Sequence, residues 1–225
     1  MSSNGILGMD MEINEILRIK AIGNLLQYYH SDLTYILNFQ RYKYNSFSRS
    51  EHLLKSPGSF QNFLNEFRVT RCVRKGMVGC LLDTTIEWVS SSKADDVDSF
   101  AAKLRDKNIT HNGKTMTSLA SKILFLNNPW IIIPYDTLNN KAVGVRTNKY
   151  HDFHAAVCKI KKINALQIDE SLNPVQEYLY TIEDEFKREL KRIDIIRNNR
   201  YMDKMLWVLG LNQSSSFVHS LSSQR

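Results

Sequence analysis

Apolar residues recur at spacings of three and four along most of the chain, which is the pattern of amphipathic helices. The only run typical of an extended strand is residues 130–135, and it has no partner of similar strength. We therefore predict an all-α protein of nine or ten helices. The predicted helices cover residues 11–29, 33–39, 60–75, 77–89, 93–109, 117–126, 137–143, 149–163, 175–195 and 201–209.

The rest of the chain is organised around residues 112–145. A polar turn containing Gly113 leads into the helix of residues 117–126, which an Asn-Asn-Pro sequence ends. The apolar run that follows contains Pro134, and the acid Asp136 comes directly after it. Because proline fixes its own φ and restricts its neighbour, this carboxylate has a well-defined position. Asp136 has two interpretations, a helix N-cap or a catalytic carboxylate, and the residue pattern by itself favours the cap.

Length and composition predict a substantial core, in one large domain or in two small ones packed together, since 43% of the 225 residues are hydrophobic. The chain has two apparent lobes, split near residues 92–95 and again after residue 163. We expect residues 1–212 to form this two-lobed domain, and the Ser-rich residues 213–225 to form a disordered tail.

The charge balance points to a polyanionic partner. The net charge is +7 and the sequence pI is about 9.2, which favours nucleic acid or an anionic membrane surface. No apolar run approaches the ~20 residues of a membrane span, and the acidic N-terminus does not resemble a signal peptide. Three cysteines without C-x-x-C spacing predict neither disulfides nor a zinc site. We expect a soluble, cytoplasmic monomer that binds neither membrane nor metal.

Two basic segments each have two interpretations. In the first, aromatic and cationic side chains alternate, as in surfaces that stack on bases and neutralise phosphates, but a basic loop with its rings packed on the core has the same composition. The second is a row of cations on the predicted helix of residues 60–75, either a solvated face, which is the commoner case, or a row that follows phosphates. The first segment contains Tyr42, Tyr44, Phe47, Arg41, Lys43 and Arg49, and the second contains Arg68, Arg71, Arg74 and Lys75.

Two other clusters have simpler explanations than metal binding. Asp95, Asp96 and Asp98 lie at the start of a predicted helix, where the helix dipole favours acids, and they lack calcium-loop spacing. His151 and His154 are three residues apart but have no third ligand nearby in the sequence.

As one unit, residues 112–136 resemble the core of the helix-hairpin-helix DNA glycosylases, the superfamily of endonuclease III and 8-oxoguanine glycosylase. In that family a Gly-hydrophobic-Gly hairpin leads into a helix, a loop with proline follows, and a short segment ends in the catalytic aspartate. The counterparts here are residues 112–114, residues 119–123, Pro129 and residues 133–136. The resemblance implies a two-lobed, all-α glycosylase fold with a helix-hairpin-helix-like core at about residues 95–163.

The sequence departs from the family pattern at two places. The hairpin has one glycine, Gly113, where the family usually has two, although its polar neighbours could supply substitute contacts. The family's nucleophilic lysine should fall close to Ser118, and Lys122 lies one helical turn further along. The resemblance therefore implies a monofunctional enzyme. The four-cysteine iron–sulfur motif of some members is absent, so no cofactor is expected.

The resemblance implies excision of a damaged or modified base from double-stranded DNA, in repair or in defence against foreign DNA. Asp136 would stabilise the cationic sugar and activate water, with Lys122 as the second catalytic candidate and a flipped nucleotide as substrate. The alternatives are a non-catalytic DNA-binding protein on the same scaffold, and an RNA or protein partner. Candidate DNA contacts are Asn112, Gly113, Lys114, Thr115, Ser118, Arg146 and Lys149, and candidates for the base pocket or wedge are Trp130, Tyr135, Tyr42 and Tyr44.

Overall fold

The computed structural model describes residues 14–44 and 48–222, with side chains through residue 213. Over these residues there is no β-strand, only one isolated antiparallel bridge between Val73 and Thr110. The prediction of an all-α fold is confirmed, whereas the specific glycosylase fold stays a prediction. The helices are α1 (Glu15–Lys43), α2 (Arg49–Leu53), α3 (Phe60–Glu66), α4 (Val78–Val89), α5 (Val97–Asp106), α6 (Thr117–Asn127), α7 (Thr137–Ala142), α8 (Tyr150–Ile163), α9 (Ala165–Leu172), α10 (Gln176–Glu183) and α11 (Ile193–Ser222).

Helix α6 lies in the middle of the core and packs against α1, α4 and α5. Most of its side chains are buried, including Ile123 and Leu124. The two long helices α1 and α11 pack against each other, and Ile36 of α1 and Met205 of α11 belong to the same hydrophobic cluster as α6. One core therefore joins the two halves of the chain. The predicted division into two lobes and a tail of residues 213–225 stays a prediction.

Helix α1 is longer than the pattern predicts. It runs unbroken from Glu15 to Lys43, so the predicted break near Ser31 and Asp32 is wrong. Asp32 does not cap a helix but is buried, where it pairs with Arg200 of α11. Residues 1–13 and 45–47, which include the predicted start of the first helix and the aromatic ring of Phe47, lie outside the described residues.

Helix α3 is shorter than the pattern predicts, because it ends at Glu66 and not at residue 75. Arg68 adopts a left-handed conformation with φ 54°. Its N–H donates to Asn65 O at 3.0 Å, and the next N–H donates to Leu64 O at 2.9 Å, the two bonds of a Schellman motif. The cations of residues 68–75 consequently lie in a loop and not on a helix face.

The C-terminal helices also differ from the prediction. The predicted helix of residues 175–195 is wrong, since α10 ends at Glu183 and α11 begins at Ile193. The predicted stop at Gly210 is wrong as well, because α11 continues to Ser222. A Cβ at Gly210 would lie 2.3 Å from Leu138 O, so this glycine allows α11 to approach the backbone of α7. None of the described helices is both long and apolar enough to cross a membrane.

Candidate active site on helix α6

The predicted hairpin is a tight turn of residues 111–114. Asn112 has φ 56° and ψ 23°, Gly113 has φ 60°, and Lys114 N donates to His111 O at 3.3 Å. Two consecutive left-handed residues normally call for glycine, but asparagine tolerates this conformation better than most residues. Asn112 and Gly113 thus form a tight turn before α6, and the correspondence of this turn to the family's hairpin stays a prediction.

The N-terminus of α6 lies among exposed basic loops. Thr117 Oγ1 donates to Asn148 O at 3.0 Å, which places the loop carrying Arg146 and Lys149 beside the start of the helix. Met116 occupies the N-cap position and makes no side-chain cap. The first N–H groups of α6 therefore lack a side-chain acceptor, at the end of the helix where the dipole favours an anion.

Ser121 fixes the segment that precedes the candidate carboxylate. Its hydroxyl accepts a hydrogen bond from Tyr135 N at 3.0 Å, so the apolar run of residues 131–135 lies against α6. Pro134 is buried and its carbonyl accepts from Asn139 Nδ2 at 3.2 Å. Asp136 thereby lies next to the middle of α6.

Asp136 caps helix α7, as the residue pattern predicts. Its Oδ1 accepts a hydrogen bond from Asn139 N at 2.9 Å. The side chain is partly buried. Burial raises the pKa of Asp136 above its ordinary value, a rise that the Asn139 N–H and the charge of Lys122 oppose. Because the capping bond uses one oxygen, capping is compatible with a second role for the other.

Lys122 is a cation close enough to this carboxylate for the two charges to interact. It lies on α6 one turn after Ser118, is partly buried, and donates a long hydrogen bond of 3.4 Å to Phe67 O. Burial lowers the pKa of Lys122, while the negative charges of Asp136 and Asp203 oppose the shift. Among the described residues it makes no ion pair within 4.0 Å. Lys122 and Asp136 therefore interact electrostatically without contact, and each retains hydrogen-bonding capacity.

A cluster of paired charges, formed by Asp203, Arg200 and Asp32, is hydrogen-bonded to Asn139 in the first turn of α7. Asn139 Nδ2 donates to Asp203 Oδ1 at 2.7 Å, and Asp203 Oδ2 accepts from Arg200 Nη1 at 2.8 Å. Arg200 in turn binds Asp32. Through these bonds α11 holds the first turn of α7, and with it the position of Asp136.

The predicted aromatic residues separate into two groups. Tyr135 is buried beside Asp136, and its OH lies 3.4 Å from Asn148 Oδ1. Trp130, Tyr42 and Tyr44 belong to the opposite end of α6. Trp130 Nε1 donates to Lys191 O at 2.7 Å, and Lys43, between the two tyrosines, donates to Asn127 Oδ1. Helix α6 is about 16 Å long, so these three rings are remote from the hairpin.

One cavity of the described structure lies away from the candidate pair. A cavity of about 170 Å³ borders His52 and Gly58, and its lining includes neither Asp136 nor Lys122. That volume is below the roughly 300 Å³ of typical ligand pockets. Within the part of the chain that the structure describes, no three His, Cys, Asp or Glu side chains are grouped as metal ligands.

Residue patterns did not indicate several groups that define the site. Ser121, Asn139, Asp203 and the carbonyl of Phe67 come from four separate segments and orient or surround Asp136 and Lys122. Their roles depend on contacts between residues far apart in sequence, 64 residues for Asn139 and Asp203. The spacing of apolar residues along the chain does not predict such contacts.

Comparison of the chain with protein-family models, curated proteins and solved structures finds no significant match. Function is therefore inferred from the side chains and their geometry.

Proposed function

We propose that the protein is a DNA glycosylase-like enzyme that excises a damaged or modified base from double-stranded DNA. The observation that carries the proposal is that Lys122 and Asp136, two partly buried groups of opposite charge, influence each other's pKa but form no ion pair within 4.0 Å. Buried charges are normally paired directly, and perturbed pKa values of opposite groups are typical of active sites.

Asp136 suits the transition state of N-glycosidic cleavage. Positive charge develops on the sugar as the bond to the base breaks, and a nearby carboxylate stabilises that charge. Its pKa is raised by burial, which also favours accepting a proton from an attacking water. The capping bond to Asn139 N keeps the carboxylate in a fixed orientation.

Lys122 supports a second route at the same site. The resemblance predicts a water nucleophile, but the lowered pKa of Lys122 increases the fraction of neutral amine, which is the nucleophilic form. In this route the Nζ lone pair attacks C1′ and the base leaves with the bonding electrons. The C1′–O4′ bond then breaks and O4′ takes a proton from the nitrogen, which gives an iminium ion that borohydride can reduce. Both routes release the base, and they differ in whether a covalent intermediate forms.

The surroundings of the pair favour a polyanion. The hairpin, the uncapped start of α6 and the loop of residues 145–149 lie at one end of α6, with Lys114, Arg146 and Lys149 exposed. Helix starts and exposed cations bind phosphates. Because Asp136 is partly buried and the neighbouring Tyr135 is buried, side chains around Tyr135 must move to admit a flipped base, whose unstacking costs a few kcal/mol.

A substrate screen tests the proposal. Duplexes that each contain one modified base are incubated with the protein, and base release is detected by alkaline strand cleavage. A duplex that already contains an abasic site is the positive control for the cleavage step. We expect release from at least one substrate. Borohydride added during the reaction distinguishes the routes, since it traps the protein on DNA only if Lys122 forms the covalent intermediate. DNA binding without release from any substrate would contradict catalysis.

That negative outcome would support a second function, a non-catalytic DNA-binding protein. The capping role of Asp136 and its partial burial favour this alternative. It predicts salt-dependent duplex binding that Asp136→Asn leaves unchanged.

A further inference from the structure

We propose that the loop of residues 68–76, called the basic loop below, binds backbone phosphates of the same DNA beside the hairpin. Two loops, and not the hairpin alone, would then hold the strand next to Lys122. The inference rests on the proposed function only in taking DNA as the partner. The sequence pattern placed the cations of this loop on a helix, as a solvated face or as a row that follows phosphates, and gave no reason to place them beside the hairpin.

The basic loop carries four cations and no acid. The acid-free stretch extends from residue 67 to residue 82, and a second one extends from residue 107 to residue 135. All four cations are exposed, and over the described residues none of them forms an ion pair within 4.0 Å. They are Arg68, Arg71, Arg74 and Lys75. A surface whose positive charge is not neutralised internally attracts polyanions.

Hydrogen bonds join the basic loop to the segment that leads into the hairpin. Arg74 N donates to Ile109 O at 2.9 Å, and Val73 forms an antiparallel bridge with Thr110. Arg74 Nη1 also donates to Asn108 O at 3.1 Å. Bridged residues lie about 5 Å apart, so the loop and the hairpin present one continuous surface.

The same loop begins at the candidate active site. Lys122 Nζ donates to the carbonyl of Phe67, the residue directly before the loop. A phosphate bound by Arg68 would therefore be adjacent to the nucleotide at Lys122. This placement connects backbone binding to the position of the reacting sugar.

Arg68 occupies a position where its side chain costs stability. It is the left-handed residue of the Schellman motif that ends α3, with φ 54°, a place usually taken by glycine. Two other helices end in the same motif with better-suited residues, α5 with Asn108 and α7 with Gly144. An arginine without an acidic partner in a strained conformation at a site suggests a functional reason for the side chain.

Two helix starts add to this surface. Helix α4 begins directly after the loop, and its N-cap residue Met77 makes no side-chain cap. Helix α6 begins after the hairpin in the same way. Neither helix has an acid in its first turn, so both positive dipole ends remain available to phosphates.

The first test separates the charge of Arg68 from its backbone strain. We expect Arg68→Gly to raise the Tm, because glycine relieves the left-handed strain, and to weaken binding of a fluorescent duplex several-fold. The control Asn108→Gly changes the equivalent position of α5, keeps the carbonyl that Arg74 uses, and should leave duplex affinity unchanged. Equal affinity for wild type and Arg68→Gly, with the Tm raised, would overturn a role for Arg68.

The second test measures phosphate contacts. The double variant Arg71→Ala/Lys75→Ala removes two exposed cations that make no described hydrogen bond. We expect the slope of log K against log salt to decrease in magnitude by about 2, since each phosphate contact contributes about 0.9. The matched control Lys159→Ala/Lys162→Ala removes two exposed cations of α8 and should leave the slope close to that of wild type. Equal changes in both double variants would overturn the inference.

The outcomes distinguish this inference from the proposed function. If the wild type binds or cleaves DNA and the basic-loop variants behave like their controls, the inference is wrong and the proposed function stands. If the wild type binds no duplex and releases no base, both are wrong.

Discussion

Two cations, the buried Arg200 and the partly buried Lys122, lie near the same carboxylates but have opposite surroundings. Arg200 binds Asp32 and Asp203 at 2.6–2.8 Å. Burial lowers its pKa, but these two carboxylates more than compensate, so that the pKa of Arg200 is raised. Lys122 has a backbone carbonyl at 3.4 Å and no direct carboxylate partner in the described structure, and burial lowers its pKa.

The difference indicates which part of the cluster is structural. Arg200 also lies between the rings of Phe67 and Phe125, at 5.6 and 5.0 Å, and its partners are satisfied. A cation with all its bonds made inside the protein has no capacity left for a ligand. Lys122 and Asp136 retain that capacity, which is why the proposed chemistry is assigned to them.

The largest expected effect comes from removing Arg200, the cation that is paired with two carboxylates. Arg200→Met should destabilise the protein by about 3–5 kcal/mol, because Asp32 and Asp203 would be left buried without their cation. Urea denaturation measures the change. The exposed pair of Arg41 with Glu189 provides the control, since Arg41→Ala should cost less than about 1 kcal/mol. Similar losses in both variants would show that the Arg200 cluster is not structural.

A smaller effect is expected from Asp203→Asn. Arg200 and Asn139 would each lose a charged acceptor, at a cost of about 1–3 kcal/mol. Burial raises the pKa of Asp136, and the charge of Asp203 raises it further. Removing that charge lowers the pKa of Asp136, so the acid limb of the base-release profile should move to lower pH. An unchanged acid limb would indicate that Asp136 is not the group that titrates.

Lys122, which has no direct carboxylate partner in the described structure, should tolerate substitution. Lys122→Met should change stability by less than about 1 kcal/mol near neutral pH, because it removes a buried charge without breaking an ion pair, yet it should abolish any borohydride-trapped product. Loss of several kcal/mol would place Lys122 with Arg200 as a structural cation.

The pH dependence of the same variant sharpens the distinction. The pKa of Lys122 is lowered from the ordinary 10.5. At a pH between the lowered pKa of the folded chain and 10.5, the unfolded chain binds a proton at this lysine that the folded chain lacks. Lys122 therefore makes the stability of the wild type rise with pH in that interval. The stability of Lys122→Met relative to wild type should therefore decrease as the pH rises toward 10.5. Parallel stability curves for wild type and variant would contradict a lowered pKa.

Local features of the site could be predicted from sequence. Gly113 and Asn112 favour a left-handed turn, and the acid after Pro134 caps the next helix as expected. These conformations depend on neighbouring residues only, so the sequence pattern is sufficient to predict them. The class of fold followed from apolar periodicity for the same reason.

Features that depend on distant contacts could not be predicted. Nothing near Arg200 in sequence distinguishes it from a solvated arginine, since its partner Asp32 is 168 residues away. Arg68 ends α3 in a left-handed conformation that arginine does not favour. Gly210 looks like a helix stop, but it serves the close approach of α11 to α7. In each case tertiary packing overrides the local preference.

The most direct measurement compares two aspartates that both cap helices. Asp136 caps α7 and Asp96 caps α5, and asparagine is as good a cap as aspartate, so Asp136→Asn and Asp96→Asn should both fold with stability close to wild type. Single-turnover base release from a substrate found in the screen is then measured for each variant. The account predicts that Asp136→Asn abolishes release and retains duplex binding, while Asp96→Asn releases base like the wild type. Release by Asp136→Asn at the wild-type rate would show that Asp136 is a helix cap only.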